Sequence, residues 1–433
     1  MRAPFLSEYD PLTEGEGSID PLGLQPIYER LADRLLPAVT VRMGRPRFVT
    51  AIAVGAWVCQ EWQSDTVAAD KVTPPWLVYE WSVVEAFVRS ENVLAEGPRI
   101  PGVLKGQRAW RDGRPISASS YLKTPTVFGF TGIFRRLARS LRVLTAEGRL
   151  DDAGYELLAA WSAEQGFAGF VDGTDGAGAQ FRKSLGRAVA QGLELGHTKR
   201  QSQDLCDLIA RTLDPAKAGR REQQVLLRLL EDRAGPPETM THLISALRKR
   251  RSTIQFAEEA AFLHGVEKTA PATLRELISA ISAYEVFGRV ITDAFNALRH
   301  AAAETRGACI GRDDFARRVS TGSAAALATS IARIRRHDRL VQWEPSLETT
   351  LARFDHAKTR EQLYDVLLDH HRCVQDDKPP NGKRTWFERG RGDRIFVRPD
   401  YVLTDPPLKG VAHVHEYRMP TFSRFLADLG ALS

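Results

Sequence analysis

The sequence is poor in the features that mark secreted, membrane-spanning or zinc-binding proteins. Its 433 residues include four cysteines, Cys59, Cys206, Cys309 and Cys373. They lie far apart and form no CxxC pair, which excludes a disulfide framework and predicts a reducing compartment. The longest apolar run, 48–62, is shorter than the roughly 18 residues that a bilayer requires. Because no apolar secretory core follows Met1, the sequence predicts a cytoplasmic protein without membrane contact.

Motifs of the common enzyme classes are also missing. The chain contains no GxSxG, HExxH or GxGxxG pattern. Gly173 and Gly178 have the spacing of a phosphate-binding loop, but Ala179 and Gln180 stand where that loop needs Lys and Ser or Thr. The sequence therefore favours a non-enzymatic protein without a cofactor.

A metal site is the remaining route to catalysis, and the C-terminal region holds the residues for it. The cluster with metal-ligating side chains is His370, His371, Cys373, His413 and His415. Their spacing matches no standard zinc pattern, so the sequence predicts no metal site. The alternative is a metal-dependent nuclease, whose site would be assembled from Asp400, Asp405, Lys409, His413 and His415.

Positive charge is abundant and unevenly distributed. The net charge is +6, and 48 of the 60 basic residues are arginine. The first 100 residues carry 9 basic and 14 acidic side chains, so the basic excess lies after them. Arginine forms bidentate contacts with phosphate, which is compatible with binding to double-stranded DNA. The alternative is that the arginine content reflects genome composition.

Three segments concentrate this charge. Residues 248–251 and 333–339 are the densest basic clusters, and each would either meet a phosphate backbone or end a helix. Residues 97–125 are expected to be a basic loop that carries Arg108, Arg111 and Lys123. Aromatic residues interleaved with these cations could stack on bases, or could pin a solvated connector to the core.

The segment 124–161 has the most specific pattern. Its periodicity predicts a helix over 127–141 with an apolar face of Val127, Phe130, Phe134, Leu137 and Leu141. The other face carries Arg135, Arg136, Arg139 and Arg142. Two short strands over 143–150 would turn at Glu147-Gly148, and a closing helix would follow over 153–161.

This order of elements resembles the second half of a winged-helix DNA-binding domain. The resemblance implies that 127–141 is the recognition helix and that Arg149 lies on the wing. The residues expected to contact DNA are Arg135, Arg136, Arg139, Arg142, Arg149, Lys123, Arg108 and Arg111. The alternative is that the four helix arginines form the solvated face of a structural helix.

The whole pattern predicts a mainly α, multi-domain helical protein with a winged-helix-like module and a small C-terminal β-hairpin. The expected regions are a helical domain (1–95), a basic loop plus winged-helix-like domain (96–165), a Gly-rich linker (166–180), a helical domain (181–350) and a C-terminal α+β region (351–433). Within these, 272–299 is expected to be the longest helix, and 385–398 is expected to form the hairpin.

A second resemblance rests on three short stretches, 20–24, 121–125 and 382–387. They resemble recurring features of uncharacterised proteins from bacterial antiviral-defence gene clusters, which implies other protein subunits as partners. The sequence therefore predicts a non-enzymatic DNA-binding recognition or scaffold subunit of a bacterial DNA-acting complex. The alternatives are a protein-binding scaffold without DNA contact and the metal-dependent nuclease.

Overall fold

A computed structural model describes residues 19–90, 100–305, 309–390, 392–405 and 413–432. Helices predominate, and a small antiparallel sheet accompanies them, which confirms the mainly α prediction. The chain divides into two compact units built from non-consecutive segments. Unit 1 comprises the described residues of 1–34 and 257–416, and unit 2 those of 35–256 and 417–433.

The helices from the N-terminus onward are α1 (Gln25–Leu35), α2 (Phe48–Cys59), α3 (Pro75–Arg89), α4 (Val103–Arg111), α5 (Pro125–Phe128), α6 (Phe130–Ser140), α7 (Asp152–Glu164), α8 (Ala177–Leu195), α9 (Gln203–Thr212), α10 (Arg220–Arg233) and α11 (Pro237–Arg250). They are followed by α12 (Phe256–Glu267), α13 (Ala272–Ala303), β1 (Cys309–Ile310), α14 (Arg312–Arg318), α15 (Ser323–Arg335), α16 (Asp338–Trp343), α17 (Ser346–Phe354), α18 (Arg360–Asp376), β2 (Phe387–Arg389), β3 (Ile395–Val397) and α19 (Met419–Asp428).

The core of unit 2 forms around α2 and α3. Helix α2 has no charged residue, so it is buried on almost every side. Its first residue, Phe48, packs on two rings of α6, with ring centroids 5.4 Å from Phe130 and 5.5 Å from Phe134. Phe425 of α19 also stacks on Phe134, with the ring centroids 6.3 Å apart. These contacts hold α6 against the core by its apolar face.

The Gly-rich segment 166–180 is packed into unit 2. Phe167 and Phe170 are buried, and each ring lies against both Trp161 and Phe181. Carbonyl oxygens of this segment face Arg182. The Arg182 guanidinium donates to the carbonyl oxygen of Val171 at 2.9 Å and to that of Gly173 at 2.7 Å. Both flanking helices, α7 and α8, belong to unit 2, so the segment joins two elements of one unit.

The core of unit 1 forms around α13, which extends the expected helix 272–299 and packs against α14, α15 and α16. The predicted hairpin is present, with β2 and β3 antiparallel and Glu388 opposite Phe396. The sheet order is β1-β3-β2. Strand β1 was not predicted, because a strand of two residues is too short to show the alternation of apolar and polar side chains.

The start of α18 provides a local test of stability in unit 1. Thr359 and Gln362 form a capping box: the Thr359 hydroxyl accepts from the Gln362 N–H at 3.2 Å, and the Gln362 side chain accepts from the Thr359 N–H at 3.1 Å. We expect Thr359→Ala to lower the free energy of unfolding by about 1 kcal/mol in urea denaturation. Thr359→Ser keeps the hydroxyl and is the matched control. Equal stability of the two variants would contradict the assigned cap.

Candidate nucleic-acid interface

A buried carboxylate in α3 organises the basic part of unit 2. Glu80 is fully buried, and it accepts hydrogen bonds from the Tyr121 hydroxyl at 2.9 Å and from the Thr131 backbone N–H at 2.9 Å. Burial raises the pKa of Glu80 to about 7. Thr131 lies in the first turn of α6, where backbone N–H groups have no partner within the helix. Glu80 therefore caps α6 from a neighbouring element.

The hydrogen-bonded pair of Glu80 and Tyr121 also contacts the start of α4. Gly102, which precedes α4, has φ +81°, and a Cβ atom there would overlap the Tyr121 hydroxyl. A Cβ atom at Gly129, before α6, would overlap the Glu80 carboxylate. Both helices therefore begin against Glu80 and Tyr121, and their first residues approach so closely because glycine has no side chain.

Residues 130–164 contain the predicted order of a helix, a hairpin and a helix, with two differences. The predicted helix 127–141 is divided at Gly129 into α5 and α6 because Gly129 is extended, with ψ 159°. The predicted hairpin is reduced to one bridge between Leu144 and Leu150, which turns at Gly148 with φ +87°. Asp151 then caps α7 by accepting from the Asp152 N–H.

Two of the predicted DNA-contacting arginines are committed to contacts within the chain. Arg135 is half-buried over the ring of Trp76, 5.1 Å from its centroid, and burial lowers the pKa of its guanidinium. Arg142 follows α6 in the left-handed region and pairs with Asp152 at 3.1 Å and with Asp151 at 3.5 Å. Arg135 is therefore held against the protein, whereas Arg142 is exposed but would have to break a surface ion pair to reach a ligand.

The other predicted residues are exposed. Among them, Arg136 and Arg139 lie on the outer face of α6, Arg149 lies in the hairpin, and Lys123 lies before α5. The guanidinium of Arg139 donates to the Ala146 carbonyl and so links α6 to the hairpin. The structure thus brings Arg139 and Arg149 to one small motif, where the charges of both act on Glu147.

The prediction that 97–125 is a loop is wrong for its central part, because Arg108 and Arg111 lie in α4. Val103, Gly106 and Ala109 are buried at a spacing of three residues. Gly106 allows Val84 and Val88 of α3 to approach. The helix was missed because its buried stripe consists of small residues, which carry little hydrophobic signal.

Ion pairing distinguishes the basic segments from one another. In the 333–339 cluster, Arg335 pairs with Glu348 at 2.6 Å and with Asp355 at 2.7 Å, and Arg339 pairs with Glu276 at 3.3 Å. Nearby carboxylates therefore neutralise Arg335 and Arg339, which are two of the four arginines in this cluster. By contrast, several exposed arginines of unit 2 make no ion pair within 4.0 Å with any carboxylate that the structure describes. The charges of Arg108 and Arg111 still act on Asp112, and those of Arg139 and Arg149 act on Glu147. Four of them belong to the residues predicted to contact DNA: Arg108, Arg111, Arg139 and Arg149. We call these four residues the unpaired arginine set.

The adjacent histidines considered for metal binding are engaged by the backbone of unit 1. His370 Nε2 lies 2.9 Å from the carbonyl oxygen of Leu22. His371 Nδ1 lies 2.9 Å from the carbonyl oxygen of Pro21, and its Nε2 accepts from the Trp386 N–H at 2.9 Å. Burial lowers the pKa of His371 to about 4, so this ring is neutral at pH 7. Both histidines therefore fasten α18 to the segment before α1.

Those residues of the nuclease alternative that the structure describes form no group of metal ligands. His415 binds Glu285 of α13 through Nδ1 at 2.8 Å. Lys409 lies outside the described residues, and Asp400 and Asp405 lie in exposed chain. Within the described part of the chain, no three His, Cys, Asp or Glu side chains come together as metal ligands.

Sequence reasoning missed the residues that position this surface. Glu80 and Glu85 are the only carboxylates in α3, whose other residues are mostly apolar. An acidic residue within an apolar helix signals a buried and bonded carboxylate, because an unpaired buried charge would be too costly. Glu80 could have been found in this way, whereas its partners Tyr121 and Thr131 could not.

Comparisons with known proteins provide no further guide, since no protein-family model, curated protein or solved structure matches this chain. None of the described helices combines the length and apolar character that crossing a membrane would require.

Proposed function

We propose that this protein binds duplex DNA through unit 2, as a non-enzymatic recognition or scaffold subunit of a bacterial DNA-acting complex. The observation that supports the proposal is the unpaired arginine set. An exposed guanidinium that is bonded to no carboxylate can bind a phosphate without first breaking an ion pair. In the 333–339 cluster, by contrast, Arg335 and Arg339 would each have to give up an existing ion pair to bind a phosphate.

The proposed role of each element follows from its placement. Helix α6 presents Arg136 and Arg139, and the hairpin presents Arg149, which corresponds to the recognition helix and wing of the winged-helix resemblance. Phosphate contacts by such residues set the position of a protein on DNA, while contacts to base edges set sequence preference. Glu80 supports this role indirectly because it holds the starts of α4 and α6 together.

The experiment removes two members of the unpaired arginine set. We expect Arg139→Ala combined with Arg149→Ala to weaken binding to a labelled duplex several-fold. The slope of log affinity against log salt concentration should also fall by about 2, because each lost phosphate contact removes roughly 0.9 from it. Fluorescence anisotropy over a series of salt concentrations measures both quantities.

The matched control removes the same charge elsewhere. Arg335→Ala combined with Arg339→Ala also lowers the net charge by two, but it removes two arginines that carboxylates already neutralise. We expect this control to bind the duplex with the wild-type salt dependence. Equal losses in the two double variants would show that binding follows net charge alone, which would contradict the assigned surface.

A second candidate function is protein binding, and exposed apolar residues beside α6 favour it. Val41, Val127 and Phe128 are 44%, 39% and 49% exposed. Phe128 borders a groove of about 550 Å³, and the guanidinium of Arg42 lies 5.0 Å from its ring centroid. Exposed apolar residues beside a groove are typical of contact sites for partner proteins. Failure of the full chain to bind any duplex at low salt would favour this function.

A further inference from the structure

A second feature of unit 2 lies at the other end of α3. A cavity of about 420 Å³ opens between the C-terminal end of α3, helix α4 and the segment that follows α8. Its apolar walls include Val88, Ile116 and Leu195, and Trp110 stands beside them. The volume is within the range of small-molecule binding sites. The cavity therefore has the size and the mixed lining of a ligand pocket.

The cavity contains a buried acceptor that the protein leaves unsatisfied. Glu85 is 6% exposed, and its Oε2 atom has no hydrogen-bond donor among the residues that the structure describes. Its Oε1 atom lies 3.4 Å from Nη1 of Arg89, at the long limit of a hydrogen bond. A buried carboxylate oxygen without a donor is costly, so a ligand that supplies N–H groups would recover stability here.

An aromatic ring and cations lie beside the cavity. The side chain of Trp110 is 41% exposed, and the guanidinium groups of Arg89 and Arg200 lie over its ring, 5.3 Å and 5.2 Å from the centroid. Arg200 and its neighbour Lys199 line the cavity and are exposed. Planar groups beside positive charges are the combination by which proteins hold an unstacked base and its phosphate.

We propose that this pocket binds a single unstacked nucleotide. The base takes the place of the exposed Arg200 guanidinium on the ring of Trp110, and its N–H donors meet Glu85. Its phosphate then lies against Lys199 and the displaced Arg200. The proposal deepens the proposed function, because it adds a base-reading pocket to a surface that holds duplex phosphates.

The carboxylate selects among the four bases. Guanine fits best because its Watson–Crick edge presents two adjacent N–H donors, whereas thymine presents one donor between two carbonyl acceptors that a carboxylate repels. Proteins that extract a base from the stack read it by hydrogen bonds to this edge and by stacking. A free nucleotide offers the same chemistry as a base within a strand.

The first measurement is calorimetric titration of the full chain with dGMP and with dTMP. We expect dGMP to bind at least tenfold more tightly. Trp110→Ala should weaken dGMP binding about tenfold, as expected from the loss of one base–aromatic stack. Tyr155→Ala is the matched control, because Tyr155 is a 42% exposed aromatic of unit 2 outside this cavity. Absence of dGMP binding, or an equal effect of the two variants, would overturn the proposal.

A second variant tests the chemistry of the acceptor without emptying the cavity. Glu85→Gln keeps the shape of the side chain but gives it a donor as well as an acceptor. We expect this variant to lose most of the preference for dGMP over dTMP while Trp110→Ala retains it. An unchanged preference would exclude Glu85 as the group that reads the base, and the proposal would fail.

The source of the nucleotide is decided with single strands. Tighter binding of a guanine hexanucleotide than of dGMP would indicate a base within a strand, and equal binding would indicate a free nucleotide. Duplex titration keeps this proposal separate from the proposed function. If the variant without Arg139 and Arg149 loses duplex binding but binds dGMP normally, the protein has two separate sites. If the full chain binds dGMP but never binds duplex, the proposed function alone is refuted.

Discussion

Replacing Arg47 by alanine is expected to lower the free energy of unfolding by about 3–5 kcal/mol, the usual effect of breaking a buried ion pair. Arg47 and its partner Glu222 are 2% and 0% exposed. Arg47 Nε lies 2.9 Å from Glu222 Oε1, which also accepts from the Thr50 hydroxyl at 2.6 Å. Removal of Arg47 would leave the Glu222 carboxylate buried without a countercharge.

The expected loss of stability comes more from the desolvation of the buried Glu222 carboxylate than from the lost attraction between Arg47 and Glu222. The guanidinium of Arg47 also donates to backbone carbonyls, including that of Thr212 at 3.0 Å, so every part of the network is bonded. When both partners are replaced by apolar residues, no charge stays buried. We therefore expect Arg47→Met combined with Glu222→Leu to lose less stability than Arg47→Ala alone.

Urea denaturation followed by circular dichroism measures these losses. The matched control is Arg228→Ala, which removes an arginine of the same unit whose ion pair with Glu156 is about half exposed. We expect this control to lose no more than about 1 kcal/mol, because water solvates an exposed carboxylate that has lost its partner. A loss below 1 kcal/mol for Arg47→Ala would contradict a structural role for the buried pair.

The second large effect concerns pH. Burial raises the pKa of Glu80 from the usual 4.5 to about 7. Between these values the unfolded chain releases the Glu80 proton while the folded chain keeps it, so the stability that this group contributes falls as pH rises. The contribution is fully present below pH 4.5 and is lost by about pH 7, with a total of about 3 kcal/mol.

Glu80→Gln removes the titrating group and keeps its shape. We expect this variant to lose less stability than the wild type when the pH is raised from 5 to 8, as measured by urea denaturation at fixed salt. Tyr121→Phe is the control: it removes the hydroxyl that donates to Glu80 but leaves the carboxyl group, so the pH dependence should persist. Equal pH dependence of wild type and Glu80→Gln would assign the effect to other groups.

The buried carboxylates of Glu222 and Glu80 show why the functional surface was harder to predict than the fold. The helical content and the C-terminal hairpin follow from local periodicity and turn residues, which a sequence displays directly. The division of the helix at Gly129 depends on Glu80, which lies about fifty positions away. Similarly, Arg135 and Arg142 share the pattern of Arg136 and Arg139, and only the positions of Trp76, Asp151 and Asp152 separate them.

The sequence by itself determined the mainly helical class, the strongly apolar helix α2, the long helix α13 and the excess of arginine. These features depend on composition and on contacts between residues close in the chain. The tertiary structure decided which arginines are neutralised, which glutamates are buried, and that residues 19–34 join 257–416 in one unit. Those properties depend on the distance between residues far apart in sequence, because both ion pairing and desolvation vary with the surroundings that folding creates.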